Sequence, residues 1–205
     1  MSEINNNYIE LVLPVLPLRG IVGFPAVQMN IEIARPSSLK AFTAAATLHD
    51  AKMLLVAQKE LHVENPTEDD MYKVGVLAEI KHVVKNPQGT LTVIFEGISR
   101  AKIAKFDLSQ EFMIAYATAR KTQKKVSVTE EIDLLMHEIK STINEIKDIH
   151  PTFNEDMNMA AQAIAAPDYF ADFAASSALI DYKNKQTVLE AMNAKTRLEK
   201  LLVAL

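Results

Sequence analysis

Residues 74–103 read VGVLAEIKHVVKNPQGTLTVIFEGISRAKI, and this stretch predicts two long β-strands joined by a tight turn. Both arms, residues 74–84 and 90–103, are rich in β-branched and other apolar residues, which favour strands. Between the arms, Pro87 and Gly89 stand at the second and fourth turn positions, where proline and glycine suit a hairpin connection. We therefore expect a long antiparallel hairpin here.

Four further strands and one helix are predicted around this hairpin. Residues 27–33 alternate strictly between apolar and polar side chains, as in a half-buried strand. Pro36 opens a helix that runs to about Leu48, and the continuous apolar run 53–58 is typical of a central strand. Residues 10–16 and 112–119 are the remaining strands, and Pro14 predicts an edge position or a bulge for the former. About six mostly antiparallel strands are enough to close, or nearly close, a small barrel over residues 8–119.

The second half of the chain has the composition and spacing of α-helices. All five glycines and six of the eight prolines lie before residue 100, whereas the later part is rich in strong helix formers. An apolar stripe at helical spacing begins at Ile132, with Ser127 and Glu130 forming a capping box, and Asn184 is expected to cap a later helix. The fold class is therefore α+β, with an all-α unit over residues 126–205.

The polar segment 120–125 has no large apolar side chain to bury, so it is expected to be an exposed, protease-sensitive connector between the two halves. At the other end, the last apolar stripe, which begins at Leu198, is still running at Leu205 without a glycine or proline to stop it. This pattern indicates a piece of a longer protein.

Composition excludes several classes of function. The 205 residues include no cysteine, which removes disulfides, thiolate metal sites and cysteine nucleophiles. The formal net charge of −4 does not favour nucleic acid or an anionic membrane surface as a partner. The sequence has neither an apolar run long enough to cross a bilayer nor a secretory signal at its start, so a cytoplasmic location is expected.

Motifs for catalysis and cofactor binding are absent from the sequence. Neither a phosphate-binding loop nor a G-x-G-x-x-G turn occurs, the five histidines lack metal-ligand spacing, and there is no G-x-S-x-G. A metal site built from distant histidines, or a serine paired with a distant lysine, stays open from sequence alone. We expect no catalytic residue, no cofactor and no metal, and hence no enzymatic activity from this chain.

One apolar segment lies where a loop is expected. Residues 18–25 read LRGIVGFP, and loops normally run over the surface. The segment either tucks into the core or presents an apolar patch to a partner. If it is exposed, the following residues are the candidate substrate-binding set: Leu18, Arg19, Ile21, Val22, Phe24, Pro25 and Met29.

Seven short blocks stand out along the chain: LPVLPLRGIVGFP (13–25), LLVAQKE (54–60), YKVGVLA (72–78), GTLTV (89–93), EGISRA (96–101), KQTVLE (185–190) and RLEKL (197–201). In their order and approximate spacing they resemble the amino-terminal region of Lon, the family of ATP-dependent serine proteases. The resemblance spans roughly residues 10 to 205, and one departure is Gly20, where the family commonly has an acidic residue.

The resemblance implies a PUA-like pseudo-barrel followed by a helical subdomain that leads toward an ATPase module not contained in these residues. It also implies non-catalytic selection of unfolded or degron-bearing protein substrates, and support of a homohexamer that carries the ATPase and protease parts. None of the family's nucleotide-binding or catalytic motifs has a counterpart here. A free-standing Lon-domain binding protein without ATPase or protease parts is the alternative.

Overall fold

The computed structural model describes residues 7–121 and 126–205. Contacts between Cα atoms divide the chain into two compact units, Met1–Gln123 and Lys124–Leu205. The first contains β1 (Tyr8–Leu18), β2 (Gln28–Ile33), α1 (Pro36–Leu48), β3 (Lys52–Ala57), β4 (Val74–Lys85), β5 (Leu91–Asp107) and β6 (Ile114–Arg120), with a 3₁₀ turn at Glu68–Asp70. The second contains α2 (Glu130–Ile146), α3 (Glu155–Ala163), α4 (Pro167–Ala178), α5 (Tyr182–Glu190) and α6 (Ala194–Ala204).

The six strands form one mixed sheet that closes on itself. The strand order is β2-β5-β4-β3-β1-β6, and an additional pairing of β5 with β6 joins the sheet into a five-stranded ring with β2 outside it. Closure depends on the length of β5, because its first part, from Leu91 to Glu96, pairs with β2 and its last part, from Ala101 to Asp107, pairs with β6. Only the β1–β3 pairing is parallel among the described strands. The α+β architecture expected from sequence is confirmed.

Strand β3 separates two apolar cores. Leu54 and Val56 point into the core inside the ring, whereas Met53 and Leu55 point into a second core that includes Phe42 of α1. A strand buried on both faces needs apolar residues at every position, which explains why residues 53–57 form a continuous apolar run. The strand bounds at 52–57 agree with the prediction to within one residue.

The hairpin expected between β4 and β5 is present. The backbone N–H of Asn86 donates to the carbonyl of Thr90 at 2.9 Å, and the N–H of Gly89 donates to the carbonyl of Asn86 at 3.0 Å. Gly89 has φ +84°, a conformation that glycine adopts without steric cost. The hairpin is longer than predicted on its second arm, since β5 continues to Asp107.

Side-chain caps lie at the starts of several helices in the second unit. Thr129 accepts from the N–H of Ile132 at the start of α2, Asp181 accepts from two N–H groups at the start of α5, and Asn193 accepts at the start of α6. Each cap satisfies backbone donors that the first turn of a helix leaves unpaired. The caps predicted at Ser127 and Asn184 are therefore wrong by two and three residues, because neighbouring Thr and Asp residues cap equally well.

Pro14 does not mark an edge or a bulge. Strand β1 lies between β3 and β6, and its pairing with β6 runs without a register shift from Tyr8 to Pro14. Pairing with β3 begins at the next residue, Val15. Pro14, which has no N–H to donate, therefore lies where β1 changes from pairing with β6 to pairing with β3, and it interrupts neither set of strand pairs. Of the predicted connector, residues 122–125 lie outside the described residues.

Candidate functional site

The loop from residue 19 to 27, between β1 and β2, lies directly against strand β5. The N–H of Ala26 donates to the carbonyl of Gly97 at 2.8 Å, and the N–H of Gly97 donates to the carbonyl of Val27 at 3.1 Å. A Cβ atom at Gly97 would lie 2.1 Å from the carbonyl oxygen of Phe24, so only glycine allows this approach. The loop is therefore held to the sheet by its backbone.

Most of the predicted substrate-binding set is buried. Of the two alternatives that the sequence left open for this segment, burial in the core applies to five of the seven residues, and Phe24 is fully buried at 0% exposure. The loop is anchored by these apolar side chains, which pack inside the first unit instead of facing water. The buried five are Leu18, Val22, Phe24, Pro25 and Met29.

Arg19 and Ile21 are the exposed members of the set. The Nη2 of Arg19 donates to the carbonyl of Val63 at 3.1 Å, which ties the loop to the segment that follows β3. Between them, Gly20 has φ +69° and faces Leu61, whose Cδ2 would lie 3.2 Å from a Cβ there. Ile21 and Leu61 expose 43% and 48% of their surface, so this corner of the barrel presents aliphatic groups beside a guanidinium. Glycine adopts this positive φ without the steric cost that a Cβ atom would add.

A groove of about 160 Å³ opens at the amino-terminal end of α1. Its apolar wall includes Val15, Phe112 and Met113, and Arg35 and Ser37 contribute polar groups. No local pattern in the sequence predicts this groove, because its walls come from β1, α1 and two loops that are far apart in the chain. A groove of this size can take one apolar side chain of a bound polypeptide.

Arg35 is held in place at the groove by a buried amide. Its Nη1 donates to Oε1 of Gln58 at 2.8 Å, and Nε2 of that fully buried glutamine donates to the carbonyl of Val63 at 2.9 Å. Partial burial, followed by repulsion from nearby Arg19, lowers the pKa of Arg35. The guanidinium stays charged in spite of that shift, since arginine does not deprotonate in proteins.

The described residues include neither a cluster of metal ligands nor a membrane-spanning helix. Across 7–121 and 126–205, no three His, Asp or Glu side chains gather closely enough to hold a metal ion. Nor does any helix in these ranges combine the length and the apolar character that a bilayer crossing requires.

Comparison with known proteins gives consistent results along the whole chain. Residues 12–205 match the family model of the ATP-dependent protease La (LON) substrate-binding domain. The chain is 33% identical to a Lon protease of Bacillus thuringiensis over 202 residues, covering 98% of this chain and 25% of that protein. It is 32% identical to the Lon protease of Brevibacillus choshinensis, covering 94% of this chain and 24% of that protein.

Solved structures agree in fold. The N-terminal domain of a Mycobacterium avium complex Lon protease superposes with a TM-score of 0.73 at 19% identity, covering 94% of this chain and 97% of that one. A Lon N-terminal domain protein from Xanthomonas campestris gives a TM-score of 0.67 at 12% identity, covering 94% and 98%. With the family match over residues 12–205, these findings show that the chain belongs to the Lon substrate-binding domain family.

Proposed function

We propose that this chain is the substrate-recognition region of a cytoplasmic ATP-dependent Lon-type protease and that it binds unfolded or degron-bearing proteins without chemical change. The observation that carries the proposal is the family match, which extends over residues 12–205. The chain spans about a quarter of the length of the Lon proteases that it matches. We place ATP hydrolysis and peptide cleavage in the remaining parts of such a protease.

Exposed aliphatic groups on a rigid frame support this role. Unfolded proteins differ from folded ones mainly in the apolar side chains that they expose, so a receptor for them needs apolar surface that water can reach. Ile21 and Leu61 provide such surface at one corner of the barrel, and the groove beside Arg35 can take a further side chain. Because the buried part of the loop holds Ile21 in place, the receptor loses little conformational entropy when a substrate binds.

A single corner of this kind binds weakly. Burying a few hundred Å² of apolar surface at about 25 cal/mol per Å² gives several kcal/mol, most of which is offset by ordering the substrate. We propose that the parent protease is a homohexamer, in which several copies of the region engage one substrate chain. Multiple engagement raises the effective concentration of the free sites and so compensates for weak individual contacts.

The proposal is tested by fluorescence anisotropy with the 205-residue chain. The probes are labelled α-lactalbumin in two forms, native and reduced with its thiols blocked by a neutral reagent. We expect the unfolded form to bind and the native form not to bind. Replacing Ile21 and Leu61 by serine should weaken binding of the unfolded form, whereas replacing Val83 and Val84, two exposed valines of β4, should not. Equal binding of both forms, or of neither, would refute the proposal.

A further inference from the structure

One outer face of the barrel combines exposed tyrosines with cations. It is formed by β1, β6 and the last part of β5, whose outward residues lie side by side: Tyr8 pairs with Arg120, Glu10 with Thr118 and Val12 with Tyr116. On the other side of β6, Thr118 pairs with Lys102 and Tyr116 with Lys105. We call this surface the tyrosine face, defined by Tyr8, Glu10, Val12, Lys102, Lys105, Tyr116 and Arg120.

The apolar part of the tyrosine face is open to solvent. Tyr8, Val12 and Tyr116 expose 46%, 48% and 42% of their surface. Their strand neighbours at positions 9, 11, 13, 115 and 117 point the other way and belong to or pack against the core inside the ring. The two tyrosines and the valine therefore do not contribute to the packing of that core.

Two of the cations hold the aromatic rings in place. The guanidinium carbon of Arg120 lies 5.6 Å from the ring centroid of Tyr8, and Nε of the same arginine donates to the tyrosine hydroxyl at 3.1 Å. Nζ of Lys105 lies 5.8 Å from the ring centroid of Tyr116. Cation–ring contacts of this length restrict both partners, so each tyrosine is presented beside a fixed positive charge.

The charge on this face is opposite to that of the whole chain. Lys102, Lys105 and Arg120 outnumber the two carboxylates of Glu10 and Asp107, of which Asp107 lies two residues beyond Lys105 on β5 and interacts with it electrostatically, whereas the chain carries a formal net charge of −4. A local positive potential beside exposed aromatic rings is complementary to carboxylates placed beside apolar side chains. Glu10, in the middle of the face, repels a ligand with closely spaced anions, which disfavours a nucleic acid backbone.

We propose that the tyrosine face binds extended polypeptide segments in which Asp or Glu alternates with aromatic or aliphatic residues, giving the chain a preference for acidic regions of its substrates. This inference rests on the proposed function and specifies one class of segment that is bound. The tyrosine rings and Val12 contact the apolar side chains of the segment. Lys102, Lys105 and Arg120 pair with its carboxylates.

The test compares two labelled peptides of the same length that alternate Glu, or Gln in its place, with Leu and Tyr. We expect the Glu peptide to bind the 205-residue chain about two- to fivefold more tightly per cation engaged, as exposed ion pairs allow. Raising the salt from about 50 to about 500 mM should abolish that difference through screening. Lys105→Ala and Tyr116→Ser should each weaken binding of the Glu peptide, whereas Lys85→Ala and Val84→Ser on the β4 strand should not.

A variant that binds the Glu peptide more tightly cannot owe its effect to misfolding, so a gain of affinity is the stronger test of the proposal. Glu10→Gln removes the carboxylate in the middle of the tyrosine face, so it should tighten binding of the Glu peptide about twofold or more and leave the Gln peptide unchanged. Equal binding of the two peptides, no effect of Glu10→Gln, or displacement of the Glu peptide by an oligonucleotide would each overturn the proposal. If unfolded α-lactalbumin still binds in that case, the proposed function stands and only its assignment to acidic segments fails.

Discussion

Gly97 and Phe24 are packed backbone against backbone: a Cβ atom on Gly97 would lie 2.1 Å from the carbonyl oxygen of Phe24 and 2.9 Å from its carbonyl carbon. The contact falls at a β-bulge, where Ile98 is the extra residue between the Leu77–Ser99 and Ala78–Gly97 pairs. The bulge and the glycine together let the loop from residue 19 to 27 lie on β5 and place Ile21 at the surface.

Gly97→Ala should destabilise the chain by about 1–3 kcal/mol, because the added methyl group meets backbone atoms that have no flexible way to move aside. Urea unfolding followed by circular dichroism measures the change. Ile98→Ala, at a neighbour that is 37% exposed, is the control and should cost much less. Equal stability of Gly97→Ala and the unchanged chain would contradict the close approach.

Phe24→Ala should lower the free energy of unfolding by about 3–5 kcal/mol, as expected when a fully buried aromatic side chain is removed. Ile21→Ala, three residues away, should change it by no more than about 0.5 kcal/mol. Binding of unfolded α-lactalbumin should show the opposite order among folded variants, with Ile21→Ala the weaker binder. A Phe24→Ala variant that keeps its stability but loses binding would return Phe24 to the candidate substrate site.

His150→Ala should destabilise the helical unit by about 1–3 kcal/mol, since it leaves backbone donors without an acceptor. Nδ1 of His150 accepts from the N–H of Phe153 at 2.7 Å and of Thr152 at 3.2 Å, and Nε2 lies 3.0 Å from the carbonyl oxygen of Ala178. The exposed His137→Ala is the control and should change stability by about 0.5 kcal/mol or less. Thermal unfolding of both variants distinguishes them.

Asp70 is expected to stabilise the first unit in a pH-dependent way. Its Oδ2 accepts from the N–H of Thr67 at 2.8 Å and from the Thr67 hydroxyl at 2.7 Å, and these bonds hold the pKa of Asp70 below its ordinary value of 3.8. A carboxyl group whose folded-state pKa is depressed stabilises the folded protein above its unfolded pKa, and the effect is lost as the pH falls through the folded value.

Asp70→Asn should therefore be less stable than the unchanged chain at pH 7, and this difference should shrink as the pH falls below 3.8 and through the lowered folded-state pKa of Asp70. Urea unfolding at a series of pH values from 7 downward measures it. Asp69→Asn, at an exposed neighbour, is the control and should change stability at pH 7 by about 0.5 kcal/mol or less. A difference for Asp70→Asn that persists at low pH would mean that the charge of the carboxylate is not what stabilises the turn.

Local pattern was sufficient to predict most elements of this chain. The strict alternation of residues 27–33 matches β2, in which exposed and buried residues alternate from Gln28 to Ile33. Pro36 opens α1, and Pro87 and Gly89 lie in the turn before β5. These features depend on interactions within a few residues, namely the face that a side chain occupies and the φ angle that proline or glycine permits. The sequence blocks likewise indicated the family that residues 12–205 match.

Tertiary structure alone decided which surfaces are covered. An apolar loop residue has the same local sequence pattern whether it faces a partner or the core, so the segment LRGIVGFP was compatible with either arrangement. Packing of the loop against β5 buries Phe24 and leaves Ile21 exposed. The tyrosine face likewise depends on ring closure, which brings Lys105 of β5 beside Tyr116 of β6 and that residue beside Val12 of β1. Such pairings join residues up to about a hundred positions apart, and a one-residue change of register would turn each side chain to the opposite face.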